Sequence, residues 1–345
     1  MAMSDTSKPF LGFWGGLKRP FFVLAPLAEV TDYAFRQFVV RYSKPAALWT
    51  EFVAADGLCH PIGREALIGD LKFDENERPI IAQLFTGHPE KMFEAAKLVK
   101  ELGFDGLDIN MGCPVKNIMK QGAGSACMKD PELAQKIILA AMEGVRADGQ
   151  TPIPVSVKTR IGFKKDELEI WLPKILDTKP AVVTLHLRTQ KEMSLVPAHW
   201  ERMAAAVALR DEYSPETLIL GNGDVKSVAE ARLKCEETGC DGVMIGRGIF
   251  GNPWLFDETK QTVTVRERLE ATIMLTDLFE ATWQGKKSFE ILKKHFQAYI
   301  VGFPGARELR NELMLTHSAS EVKVVVENFI QEQREVLKES IALYS

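Results

Sequence analysis

No apolar run in this 345-residue chain approaches the ~18–20 residues that a membrane-spanning helix needs, so a helical membrane protein is excluded at the outset. Cysteine is sparse and irregular. Cys59, Cys113, Cys127, Cys235 and Cys240 are odd in number and show no Cys-x-x-Cys spacing. That argues against a disulfide framework, a zinc site or an iron–sulfur cluster, and no metal is expected. No signal peptide is expected from the first residues. Lys8 and Lys18 flank a glycine-interrupted Phe/Trp stretch with no small-residue cleavage site. A reducing cytoplasm is the expected compartment. Positive charge is not in excess: 43 Lys and Arg stand against 47 Asp and Glu, a net charge of −4. Any nucleic-acid contact must therefore come from a local basic patch. There is no internal repeat and no low-complexity segment. What is present, 46% hydrophobic and 26% charged residues, is ordinary for a globular chain and suffices for one large α/β domain plus a smaller appendage.

Eight short β-rich runs alternate with helical patterns: 22–25, 47–53, 80–85, 106–110, 155–160, 182–188, 218–222 and 242–246. Helix punctuation lies between them. Asp130-Pro131 reads as an N-cap with proline at N1, Ser227-Val228-Ala229-Glu230 as a capping box, and Gly239 as a C-cap. Strands alternating with helices imply parallel βαβ units, and eight of them match a closed (β/α)8 TIM barrel. A doubly wound open sheet competes, but no Gly-x-Gly-x-x-Gly follows the first strand. After Trp254 the pattern changes. Residues 257–345 contain no strand-like run and read as four helices, about 264–285, 287–300, 305–314 and 319–342. The expected organisation is an N-terminal extension (1–20), a barrel (21–256) and an all-helical C-terminal domain (257–345). The extension, with Phe10, Phe13 and Trp14 among glycines, either packs on the barrel's outside or stays disordered.

Period-two alternation assigns the faces of the strands. In 155–160 the valines suit the helix side, so Lys158 points inward. Thr184, His186 and Arg188 share one face of the sixth run. Gln83, Asn110, Lys158, His186, Asn222 and Arg247 all fall near C-terminal strand ends, where barrel enzymes carry their active sites. The last two strands end in Gly221-Asn222-Gly223-Asp224 and Gly246-Arg247-Gly248. Glycines there bring backbone N–H groups close to an anion, and arginine adds forked donors; the same glycines can also simply make tight turns. Lys158 suits the pyrimidine edge of a flavin or, alternatively, pairs with Asp108 or Asp224. Cys113, between Gly112 and Pro114 on a loop, has no Cys-His-Asn companions. An unperturbed thiol is mostly protonated at neutral pH, which favours a general acid over a nucleophile. Cys59, Cys235 and Cys240 read as core.

These motifs resemble the signature of tRNA-dihydrouridine synthases. The resemblance is carried by Asp108-Ile109-Asn110-Met111-Gly112-Cys113-Pro114-Val115-Lys116, by Lys120-Gln121-Gly122-Ala123-Gly124-Ser125-Ala126 and by Ala25-Pro26-Leu27-Ala28-Glu29-Val30-Thr31-Asp32. It continues in Val157-Lys158-Thr159-Arg160, Thr184-Leu185-His186-Leu187-Arg188-Thr189, Asn222-Gly223-Asp224, Ile245-Gly246-Arg247-Gly248 and Phe303-Pro304-Gly305-Ala306-Arg307-Glu308-Leu309-Arg310. It implies FMN in the barrel mouth, reduced by NADPH or NADH, and hydride transfer to C6 of a uracil in tRNA. It implies that Cys113 protonates C5. FMN contacts then fall on Pro26, Leu27, Ala28, Gln83, Lys158, His186, Asn222, Gly223, Asp224, Gly246 and Arg247. Substrate contacts fall on Asn110, Arg188, Lys116, Arg307 and Arg310. Leu27, Glu29, Leu187 and Cys127 depart from the family's usual residues, the first three beside the flavin.

A stacked uridine must be extruded to reach a flavin, at a cost of a few kcal/mol. Lys116, Lys120, Lys164, Lys165, Lys286, Lys287, Lys293, Lys294, Arg307 and Arg310 are the candidate phosphate contacts that would offset it. The alternatives are a dihydroorotate dehydrogenase-like flavin barrel acting on a free pyrimidine, and a non-catalytic tRNA-binding protein. A monomer is the simplest expectation.

Overall fold

The structure is a computed structural model that describes residues 8–333 and the backbone of 340–342. Eight parallel strands run β1 (Phe21–Leu24), β2 (Leu48–Ala54), β3 (Ile80–Phe85), β4 (Gly106–Met111), β5 (Val155–Arg160), β6 (Val182–His186), β7 (Leu218–Asn222) and β8 (Gly242–Ile245). Each pairs with its successor from β2 to β8, and β8 returns to β1. The β1–β2 seam is joined by Ala46 N–H donating to Phe22 O at 3.0 Å. This is the (β/α)8 barrel. β6 stops two residues short of the expected Arg188, because Arg188 N turns back onto His186 O at 2.7 Å.

Alternation holds along the strands except in β2, where a register irregularity between Trp49 and Phe52 puts both Leu48 and Val53 on the helix side. Phe21, Val23, Trp49, Ile81, Val182, Leu218, Leu220 and Met244 cluster inside the barrel. Their neighbours Phe22, Leu24, Ile80, Leu107, Val157, Val183, Ile219 and Val243 join the helices outside. The described part of the N-terminal extension matches neither expectation made for it. Trp14 is buried in the inner cluster, with its ring 5.5 Å from Phe21 and 5.8 Å from Trp49. Gly12 permits this closure: its φ is +52°, and a Cβ there would lie 2.7 Å from Pro154 Cδ. The segment plugs the strands' N-terminal end, leaving the opposite end open for chemistry.

The caps bear out the local sequence. The Asp130 carboxylate accepts from Leu133 N at 3.0 Å ahead of Pro131, and Gly239 is left-handed at the end of helix Val228–Thr238. Ser227 Oγ accepts from Glu230 N, but the Glu230 carboxylate reaches Lys226 N rather than Ser227 N. The expected capping box is therefore only half formed. The reciprocal box sits instead at Thr264 and Glu267.

Beyond the barrel lie helices Val265–Trp283, Lys293–Tyr299, Ala306–Leu313 and Ala319–Glu332. Two expectations fail here. A strand does exist: Thr262–Thr264 (β9) pairs antiparallel with Ser340–Ala342 (β10). A three-residue Thr-Val-Thr run is too short to show a period, and only buried Val263 betrays it. The last helix also ends at Glu332, well before 342. The core does not break between barrel and lobe. Phe35 packs 5.1 Å from the His295 ring and Phe38 6.2 Å from Tyr299. Trp283 Nε1 donates to Asp32, the N-cap of barrel helix Tyr33–Tyr42, at 2.7 Å.

Candidate active site

A cavity of about 1050 Å³ opens at the C-terminal ends of the strands. Every residue expected to hold the flavin lines it, and so do Asn110, Arg188 and Cys113. Lys116, Arg307 and Arg310 do not. Lys116 starts a short exposed turn of helix beyond the thiol loop; Arg307 is exposed on the lobe. Arg310 donates to Ile300 O at 2.9 Å.

The thiol loop is held from below and from the side. Asn110 Oδ1 accepts from Gly112 N at 3.1 Å and Cys113 N at 2.9 Å. Its amide nitrogen donates to Gln83 Oε1 at 3.2 Å, and Gln83 Nε2 donates to Asp108 at 2.6 Å. Ser156 Oγ donates to the other Asp108 oxygen at 2.6 Å. Three adjacent strands thus fix the loop's root. Arg160 supplies the lateral brace. Its Nε donates to Gly112 O at 2.8 Å, and one terminal nitrogen reaches Thr189 O and Met193 O, each at 3.1 Å. Gly124 closes the far side at φ +59°, where a Cβ would lie 2.8 Å from Cys113 O. Arg160 was not assigned a role from sequence, although strand parity puts it on the same face as Lys158, two residues further toward the mouth.

Burial sets the charge states. It pushes the Cys113 thiol up, and the opposing pull of Arg160 and Lys158 does not cancel it, so the proton stays on sulfur at neutral pH. Lys158 is pushed down to about 8, first by burial and then by Arg160. Its Nζ donates to Asn222 Oδ1 at 3.2 Å, and Asn222 Nδ2 donates to Met244 O at 2.8 Å, which orients that amide. Lys158 thus pairs with neither Asp108 nor Asp224. Asp108, buried, is pushed up to about 6. His186 lies well below the ordinary histidine value, through burial and then the surrounding cations. It is neutral. Its Nε2 lies 3.2 Å from an Arg188 nitrogen, and because guanidinium only donates, the ring proton belongs on Nδ1.

At the opposite end of the cavity Gly223 is sterically required. Gly223 has φ +137°, and a Cβ on it would lie 2.6 Å from Ala198 Cβ. Asp224, at φ +57°, accepts from Arg188, from Ala198 N at 2.8 Å and from Arg247 at 2.8 Å. Arg188 also donates to Val196 O at 2.6 Å. Its guanidinium is therefore engaged with protein acceptors on three sides, while Arg247 remains largely exposed.

The lysines divide into two groups. Lys287 bridges Glu51 and Asp70, each at 3.0 Å, and lies 4.1 Å above the Trp283 ring. Lys293 pairs with Glu290 at 2.7 Å, and Lys294 with Glu29 at 3.8 Å. These three fasten the lobe to itself and to the barrel, so a phosphate contact at any of them would have to replace an ion pair. Lys116, Lys120, Lys164 and Lys165 on barrel loops, and Lys286 at the start of the lobe's first interhelical turn, are exposed and form no ion pair among the described residues.

A closed parallel barrel with a cation, a buried neutral histidine and a braced thiol at its C-terminal mouth defines a TIM-barrel enzyme of the strand-end type. The model of the family "Dihydrouridine synthase (Dus)" matches residues 23–335. A probable tRNA-dihydrouridine synthase of Staphylococcus aureus (strain MRSA252) is 40% identical, over 94% of this chain and 98% of that protein. Probable tRNA-dihydrouridine synthase 2 of Bacillus subtilis (strain 168) is 41% identical, over 92% and 96%. The chain belongs to the dihydrouridine synthase family. Among solved structures, a 2-naphthoyl-CoA reductase complex aligns with a TM-score of 0.50 at 10% identity, over 74% of this chain and 52% of that one. That likeness shows the fold alone.

Proposed function

We propose that this protein reduces the C5=C6 bond of uridine in tRNA to 5,6-dihydrouridine, using FMN in the barrel mouth and NADPH or NADH as reductant. The observation that carries the reading is Cys113: a protonated thiol, held by Asn110 and Arg160, in the same cavity as Lys158. The name shared by the curated relatives supports the substrate. The cavity suits FMN. The collision-limited glycine at 223, with Gly246 and exposed Arg247, offers N–H groups and a guanidinium to a phosphate. Lys158, on the floor, offers a cation to the ring's pyrimidine edge.

When bound, reduced FMN supplies the hydride for C6 of the uracil. Addition there leaves negative charge at C5, conjugated with the C4 carbonyl. Cys113 holds the proton that C5 needs, and its raised pKa keeps that proton in place until it is required. Arg160 and Lys158 lie close enough to lower the cost of the thiolate that results. Asn110 fixes the loop from which the thiol reaches the substrate, and in this reading its amide also faces the uracil edge.

The test is NADPH consumption by the flavin-loaded protein, offered an unmodified tRNA transcript, free uridine or orotate. Consumption driven by the transcript and yielding dihydrouridine is expected. Consumption driven by a free pyrimidine and not by the transcript would contradict the tRNA reading and favour the dihydroorotate dehydrogenase-like one.

A further inference from the structure

We propose that the loop 189–196, with Leu195 at its tip, is the wedge that fills the RNA stack vacated by the target uridine. The proposal rests on the reading of the cavity as a uridine site in RNA.

Leu195 is 85% exposed, and a lone exposed leucine means little. Its surroundings give it meaning. Met193, 40% exposed, lines the cavity, and Val115, 50% exposed, follows Cys113-Pro114. Arg160 ties these segments together, holding Met193 O and Gly112 O with one guanidinium. Three exposed apolar side chains therefore flank the thiol side of the mouth.

The loop is braced rather than loose. Gln190 N donates to Gly162 O at 2.9 Å and Lys191 N to Phe163 O at 3.0 Å. The Glu192 carboxylate accepts from Thr189 N at 2.8 Å and lies 3.1 Å from His199 Nε2. Leu195 N donates to Glu192 O at 2.9 Å, and Val196 O takes the Arg188 bond. Met193 is held at φ +55°, a conformation that costs a side-chain-bearing residue free energy. So much bracing fixes Leu195 in water, where it contributes nothing to the core.

The charge around the tip selects the partner. Lys191 lies on the loop, and Lys164 and Lys165 follow the 162–163 segment that pairs with it. All three are exposed and form no ion pair among the described residues. An apolar tip among unpaired cations is complementary to a polyanion with apolar faces, which is a nucleic acid loop. Extruding a base leaves a gap between its neighbours, and proteins fill such gaps with leucine or methionine.

The test compares flavin-loaded wild type with Leu195→Ala on two substrates. One is a folded tRNA transcript. The other is a short unstructured RNA carrying the same target sequence, in which no stack must be opened. Leu195→Ala is expected to lower kcat/KM about ten-fold on the folded transcript, the scale of losing one base–side-chain contact. It should change the short RNA less than about two-fold, and leave NADPH oxidation without RNA unaltered. A 2-aminopurine beside the target uridine should brighten on binding wild type and brighten less with the variant. Equal rates on the folded transcript overturn the wedge but leave uridine reduction standing. Equal losses on both RNAs also overturn it, because the side chain would then act on the cavity itself. If wild type forms dihydrouridine in neither RNA, the reading of the site fails, and the wedge with it.

Discussion

Asn110 and Cys113 are joined by a 2.9 Å hydrogen bond from the cysteine's backbone N–H to the asparagine's side-chain oxygen. The contact makes the position of the thiol a property of strand β4, not of a free loop. The chain behind it, Gln83 to Asp108 to Ser156, is buried at every step.

Asn110→Ala should therefore behave as a misplacement of the acid. Flavin content should be largely kept, because Lys158, Asn222 and the glycine end do not depend on Asn110 and Gln83 keeps its bond to Asp108. Dihydrouridine formation should fall by about 10²-fold, the penalty typical of a displaced catalytic group. Alkylation of Cys113 by iodoacetamide should quicken as the loop loosens. Unchanged turnover would show that Arg160 and Gly124 position the loop by themselves.

Cys113→Ala removes the proton donor and nothing else. FMN should remain bound, and NADPH should reduce it at the wild-type rate. Oxidation of the reduced flavin by tRNA should slow by roughly 10²–10⁴-fold, the range of general acid catalysis. Rapid-mixing absorbance of the flavin separates the two half-reactions. A wild-type oxidative half-reaction would remove Cys113 as the acid.

The pH dependence has a definite sign. Lys158 is charged below its pKa of about 8 and loses its charge as pH rises through that value. The Cys113 thiol, pushed upward by burial, keeps its proton to higher pH. The oxidative half-reaction should therefore decline first near pH 8, with a second decline at higher pH. Lys158→Arg keeps a cation at all these pH values, so whatever rate it retains should lack the first decline. Persistence of that decline in Lys158→Arg would assign it to another group.

The lysines should separate by salt. Lys164→Ala and Lys165→Ala should each reduce the slope of log affinity against log salt by about one, as a lost phosphate contact does. Lys287→Ala should leave the slope alone and lower thermal stability, by about 1–3 kcal/mol, since Glu51 and Asp70 would lose their common cation. The reverse pattern would return Lys287 to the RNA surface.

The barrel was legible because its signal is periodic and repeated: eight runs with Val, Ile and Leu alternating against polar strand ends. The same parity led to Lys158 and His186. Arg160 needed that parity carried one step further. The lobe was harder. Lys287 and Lys294 have the composition of a basic patch, and only the fold brings Glu51, Asp70 and Glu29 against them from distant segments. Trp14 gave no sign in sequence of being a plug, because its partners Phe21 and Trp49 meet it only once the barrel closes. The strand Thr262–Thr264 was hidden by its length, and its partner strand, Ser340–Ala342, lies far along the chain.

The most direct measurement is nucleoside mass analysis of an unmodified tRNA transcript after incubation with flavin-loaded protein and NADPH. The account expects one or a few defined uridines to gain the mass of two hydrogens, in step with NADPH consumed. Steady NADPH oxidation by a yellow protein, with every uridine in the transcript unchanged, would contradict it.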